Sequence, residues 1–160
     1  MGANVHYTAM SLYLEFDSIV KGFHREGVRY ALAGGLAMGI YGRLRATEDI
    51  DFLVHPEDVE KAAGVLAASG FSVPNQPWMF SNTQLMLRRF MKPMGDSEDF
   101  HLVDLLVPQS TDMHGVLDRA ESREYGQGSI RVVTKPDLIA MKRRRMSAQD
   151  VADIGELERE

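Results

Sequence analysis

The sequence predicts an α/β fold, and two observations carry that expectation. Short apolar runs of strand character alternate along the chain with amphipathic segments of helical spacing. Within that alternation a paired glycine, Gly34-Gly35, joins one strand-like run directly to a helix start, and a strand with alternating aspartates, Asp49-Ile50-Asp51-Phe52, follows closely.

The elements can be justified in order. Thr8 to Glu26 places Leu12, Phe16, Ile19, Val20 and Phe23 at helical spacing, with Thr8 as a candidate N-cap and Gly27 as a stop. Tyr30 to Ala33 is a short apolar strand, and Leu36 to Tyr41 has helix-forming composition. Thr47 to Val54 alternates, so Asp49 and Asp51 share one strand face while Ile50 and Phe52 point to the other. Pro56-Glu57-Asp58 opens a helix with proline and acids in its first turn, Gly70 ends it, and Val59, Ala62, Ala63, Leu66 and Ala67 form its apolar stripe. Phe71 to Phe80 reads as an irregular connection with a short strand, in which Trp78 is expected to anchor the core or a lid. Gln84 to Lys92 and Phe100 to Val107 form a hairpin around the turn Pro93 to Asp96. Asp112 to Glu121 reads as a helix and Ser129 to Val133 as a strand. Thr134 with Asp137, then Ser147 with Asp150, resemble capping boxes opening two last helices.

At 160 residues and 44% hydrophobic composition, with no internal repeat or linker, one domain over residues 1–160 is expected. A net charge of -5 argues against a protein that coats nucleic acid. No cysteine is present, which removes disulfides, thiolate metal sites and cysteine nucleophiles. No apolar stretch approaches membrane-spanning length, and His6 stands where an N-myristoylation signal needs serine or threonine. A soluble, cytoplasmic protein without a membrane partner is the expectation.

The candidate chemistry lies between Ala33 and Val54. The glycine pair has two readings: a turn needing positive φ, or a backbone left bare so that phosphates can approach its amides. The spacing of Gly34, Gly35, Gly39 and Gly42 is not a dinucleotide fingerprint, and no Walker lysine follows. Two carboxylates on one strand face repel unless a cation or a basic partner lies between them. Oxygen ligands alone suit magnesium or manganese, and the histidines show no zinc spacing. In Phe100 to Val107, Asp104 shares a face with Leu102 and Leu106, company in which a carboxylate needs a partner, a proton or a metal. It is therefore a candidate for the same site.

Together these residues resemble the nucleotidyltransferase superfamily related to DNA polymerase β, whose pattern is a glycine pair, a D-x-D strand and a third carboxylate on a later strand. G-G-L-A with R-x-T-x-D-I-D-F, followed by a lysine helix and an acidic helix, is similar to the minimal and abortive-infection toxin-like (AbiEii-type) members of prokaryotes. The resemblance implies a small mixed sheet flanked by helices. It implies that Gly34 and Gly35 cradle a nucleoside triphosphate, that Arg45 and Lys142 meet its phosphates, and that Asp49, Asp51 and Asp104 form the catalytic set and hold Mg2+ or Mn2+. Asp150 and Asp153 would pair with the basic run Lys142 to Arg145 or position it. The implied reaction moves a nucleoside monophosphate to a hydroxyl of RNA such as tRNA, of a protein or of a small molecule. A toxin role would bring an antitoxin partner, and a homodimer is the other candidate to complete the acceptor site. Leu36 departs from the pattern, standing where many members carry serine or threonine. Two other classes remain open: a non-catalytic nucleotide- or partner-binding module on this fold, and a glycosyltransferase, where D-x-D holds a metal against a sugar nucleotide.

Overall fold

A computed structural model describes residues 2–43, 47, 49–73, 76–80, 83–95 and 98–159. Its centre is a mixed seven-stranded sheet. In chain order the strands are β1 (Tyr30–Ala33), β2 (Asp49–Val54), β3 (Trp78–Phe80), β4 (Leu85–Pro93), β5 (Phe100–Pro108), β6 (Glu121–Tyr125) and β7 (Gly128–Val132). The helices are α1 (Gly2–Glu26), α2 (Gly34–Ile40), α3 (Val59–Ala68), α4 (Thr111–Arg119), α5 (Lys135–Arg145) and α6 (Ala148–Glu158), with a 3-10 turn over Pro56–Asp58. The spatial order is β3-β4-β5-β2-β1-β7-β6. β2 runs parallel to β5, and β1 runs parallel to β7 and antiparallel to β2.

The alternation in β2 decides which face is core. Ile50 and Phe52 are fully buried, and the Phe52 ring meets Phe16 and Phe23 of α1 at centroid distances of 6.0 and 5.0 Å. On that face α1 also meets α3 closely, because Gly22 has no side chain: a Cβ there would lie 2.5 Å from Val65 Cγ1. The opposite parity of β2 carries Asp49 and Asp51 to the other face.

Several boundaries differ from the sequence reading. α1 starts at Gly2, so Thr8 lies inside the helix and does not cap it. The expected helix over Asp112 to Glu121 stops at Arg119, and Glu121 opens β6, a strand of mostly exposed polar residues with no apolar alternation to announce it. The cap at Thr134 is half of the expected box: its side chain accepts from the Asp137 amide, but the Asp137 carboxylate turns to Arg119 at 2.8 and 2.9 Å. Ser147 and Asp150 make the full reciprocal box. Trp78 is not a core anchor, since 38% of it is exposed on the edge strand. The β4–β5 hairpin forms as expected, with Asp96 of its turn outside the described residues. Among the described residues, no helix is long and apolar enough to cross a membrane.

Candidate active site

One line of paired residues crosses four strands. Ala33 of β1 sits opposite Asp51 of β2, Asp51 opposite Asp104 of β5, and Asp104 opposite Arg89 of β4. Paired positions of neighbouring strands point to the same side of a sheet. The two candidate aspartates far apart in sequence are thus side by side, and Asp49 shares their face one pleat away.

Gly34 follows Ala33 directly and explains why the glycine turn and the aspartate strand occur together. Its φ is +63°, and a Cβ at this position would stand 2.0 Å from Asp51 Oδ2. Only a residue without a side chain lets the carboxylate reach the turn. The turn reading of the glycine pair therefore holds at Gly34, and the group that approaches the turn in this structure is the protein's own Asp51 carboxylate. α2 begins here, with Gly35 buried, and no side chain caps its first amides.

The three aspartates are not electrically equivalent. Asp104, buried, accepts two parallel hydrogen bonds from Arg89, Nε to Oδ1 at 2.8 Å and Nη2 to Oδ2 at 2.9 Å. That fork offsets part of its charge. For Asp51, burial first, then the neighbouring Asp104 and Asp49, push the carboxyl up to about 7. Arg145 and Lys142 pull it back only partly. Asp51 is the point where negative charge exceeds its compensation.

The cations come from α5, whose end turns back into α6. Lys142 is buried and donates to Asp153 Oδ2 at 2.8 Å, with Asp150 Oδ1 at 4.0 Å. Arg145 makes a two-pronged pair with Asp150 at 2.7 Å on each arm. Burial would push the Asp150 carboxyl up, but the bonds from Arg145 and Ser147 outweigh it and hold it at about 2. The pairing of Asp150 and Asp153 with the basic run is thus seen directly. Gly34, Asp51, Thr83, Leu85, Lys142 and Arg145 line one open cleft.

The structure therefore gathers Gly34, Asp51 and Lys142 around that cleft and sets Asp49 and Asp104 beside Asp51 in the sheet. Arg45 lies outside the described residues. Arg43 donates to the Arg159 carbonyl at 2.7 Å. Thr47 fixes the entrance to β2 by donating to the Asp49 carbonyl at 3.2 Å. Arg145, the end of the basic run, lies three places beyond Lys142, hence on the same helix face. One residue at the site escaped the sequence reading. Arg89 was visible as the charge in the Leu85-Leu87-Arg89 alternation, which faces Asp104 once the hairpin is closed.

A hard divalent cation fits Asp49 and Asp51. They are oxygen donors on one face, and the proton affinity of Asp51 marks a local excess of negative charge that an ion would relieve. Asp104 also offers carboxylate oxygens on this face, each of which already accepts one hydrogen bond from Arg89. Among the described residues, no group of three or more His, Cys, Asp or Glu is arranged to hold a metal.

A glycine turn abutting one aspartate of a D-x-D strand, a third aspartate in register and a basic helix over the cleft define the nucleotidyltransferase class of fold. Comparison with known proteins agrees. The chain belongs to a family described as uncharacterised nucleotidyltransferases, whose model matches residues 3–140, and membership makes it an enzyme of that class. No curated protein matches the sequence. Among solved structures, the lincosamide antibiotic adenylyltransferase LnuA, with lincomycin bound, aligns with a TM-score of 0.62 at 18% identity, covering 90% of this chain and 94% of its own. ANT(2")-Ia in complex with adenylyl-2"-tobramycin aligns at 0.58 and 14% identity, covering 92% and 87%. A Thermotoga maritima protein described as a nucleotidyltransferase aligns at 0.59 and 12% identity, covering 91% and 88%. At these identities the likeness is one of fold.

Proposed function

We propose that this protein transfers a nucleoside monophosphate from a nucleoside triphosphate to a hydroxyl acceptor, with the triphosphate in the cleft between Gly34 and α5. The observation that carries the reading is the line Gly34–Asp51–Asp104, which sets a turn with uncapped amides against two aspartates and leaves Asp51 short of positive charge. The amides at Gly34 and Gly35 and the cationic heads of Arg145 and Lys142 bind the phosphates. Asp49 and Asp51 would hold magnesium or manganese, which would supply charge neutralisation at the α-phosphate and its leaving oxygen.

Asp104 acts on the acceptor. Its two oxygens each keep a lone pair beyond the Arg89 fork, enough to accept the hydrogen bond of an incoming hydroxyl and hold it in line. As the new O–P bond forms, the bond to pyrophosphate breaks and the hydroxyl proton passes to the carboxylate. Leu36 supplies no hydroxyl after the glycine pair, so phosphate binding rests on amides and α5. That LnuA is an adenylyltransferase with lincomycin bound and that ANT(2")-Ia is seen with adenylyl-2"-tobramycin support ATP as the first donor to try and small molecules as the first acceptors. The toxin-like role rests on the sequence resemblance alone.

The test is a panel of α-labelled triphosphates with magnesium or manganese and three acceptor fractions: cellular RNA, cellular protein and small hydroxyl compounds. Label transfer by the wild-type chain and its loss in Asp51→Asn are expected. Absence of both triphosphate binding and label transfer would sink the reading.

A further inference from the structure

We propose that Trp78, backed by Arg89, forms the acceptor subsite, and that it takes a small, uncharged or cationic, ring-shaped polyhydroxyl compound rather than a polynucleotide. This rests on the nucleotide-transfer reading above and adds to it a place and a chemical class for the acceptor.

The place follows from the line across the sheet. Gly34 stands on one side of Asp51, while Asp104 and then Arg89 stand on the other. In-line displacement needs the attacking oxygen opposite the leaving group. With the phosphates at Gly34, the acceptor enters over Asp104, towards β4 and β3. Trp78 pairs with Leu87, which pairs with Leu106, so its indole belongs to the aspartate face. Arg89 binds the two together: its guanidinium lies 5.9 Å from the Trp78 ring centroid while its N–H groups hold Asp104.

Indoles are among the largest apolar groups a protein has, and they are usually mostly buried. Here Trp78 is 38% exposed, and the guanidinium that lies over its ring also holds Asp104. An aromatic face next to a hydrogen-bond acceptor suits a ring with an apolar face and polar edges, which is the shape of a sugar or an aminocyclitol.

The charge decides against nucleic acid. Polynucleotide binding needs a track of cations that extends beyond the triphosphate cleft. On this face β3 and β4 carry a single basic side chain, Arg89, and Asp104 holds it. On the opposite face Arg88 pairs with Glu60, and Lys92 with Glu15. The net charge of -5 repels a polyanion and tolerates a neutral or cationic acceptor.

The test uses the full chain and exploits the fact that Trp78 is its only tryptophan. Intrinsic fluorescence is followed while monosaccharides, amino sugars, aminocyclitols and a short oligoribonucleotide are titrated in, with magnesium and ATP present. A saturable change with a ring polyhydroxyl compound is expected, and with that compound as acceptor Trp78→Ala should raise KM about tenfold while kcat changes little. Trp78→Phe should restore most of the loss, and the melting shift induced by ATP and magnesium should be the same in all three proteins. If label transfer persists with an unchanged KM in Trp78→Ala, or if only the oligoribonucleotide changes the fluorescence, the subsite is wrong while the transfer reading stands. If the wild-type chain shows no triphosphate-dependent melting shift, the transfer reading has failed and the subsite falls with it.

Discussion

Replacing Asp51 with asparagine should make the ligand-free protein more stable at neutral and alkaline pH, although it removes a residue at the centre of the site. In the folded chain the Asp51 carboxyl is pushed from its ordinary value of 3.8 up to about 7 by burial and by Asp104 and Asp49. A folded-state value above the unfolded one means that the native protein holds the proton more tightly. The contribution of this proton to stability is therefore fully present below about pH 4, falls as pH rises through 7, and is absent above that. The displacement corresponds to roughly 4 kcal/mol at most. Asparagine keeps the shape and removes the titration, so Asp51→Asn and wild type should come closest near pH 3 and diverge by up to that amount near pH 8.5. Urea midpoints across this range, read at constant slope, measure the difference. Magnesium should raise the wild-type midpoint at pH 8.5 and leave Asp51→Asn unmoved. Equal pH slopes in the two proteins, or a less stable variant at pH 8.5, would refute the charge argument.

Three further expectations follow from other contacts. Gly34→Ala drives a Cβ to within 2.0 Å of Asp51 Oδ2 at a φ of +63°, so it should lose at least about 1–2 kcal/mol in urea titrations and abolish the triphosphate-dependent melting shift. Lys142→Met strands the buried Asp153 and should cost about 3 kcal/mol, whereas Lys142→Met with Asp153→Leu should recover most of that stability and still show no triphosphate shift. The recovery would separate the structural role of this lysine from its phosphate-binding role. Far from the cleft, hydrogen bonds from Arg29 hold the Asp58 carboxyl down at about 2. Its contribution is present above about pH 4 and lost as pH falls towards 2, so acid unfolding curves of Asp58→Asn should be flatter in that interval.

The sequence made the sheet centre legible because its signals are local and periodic. In β2 the alternation of Asp49, Ile50, Asp51 and Phe52 states both the strand and its two faces, and the Ser147–Asp150 box states a helix start. Asp104 was legible for a different reason: a carboxylate among Leu102, Val103, Leu105 and Leu106 requires a partner wherever the strand goes. What the sequence could not state is which partner. That choice depends on register, and register joins Asp104 to both Asp51 and Arg89 only after β4, β5 and β2 are assembled. β6 was illegible because Glu121 to Tyr125 is held by backbone pairing to β7 and by little side-chain burial. Trp78 was misjudged because size and apolarity favour the interior, a preference that an edge strand overrules.

The unequal pairing of the aspartates has a consequence for how the site is built. Had all three carboxylates lacked partners, their mutual repulsion would fall on the sheet itself, in adjacent buried positions where screening by water is weak. Arg89 offsets part of the Asp104 charge, and the α5–α6 ion pairs place two cations at the cleft while binding each to its own aspartate. The remaining excess is felt at Asp51, next to the glycine turn. A cation and a phosphate chain are the ligands that relieve it. On this argument the stability missing from the free protein at neutral pH is a source of binding free energy for the loaded one. The two should vary together: any substitution that relieves Asp51 without ligand, whether at Asp51 itself or by placing a new cation beside it, should stabilise the free chain and weaken triphosphate binding by a similar factor.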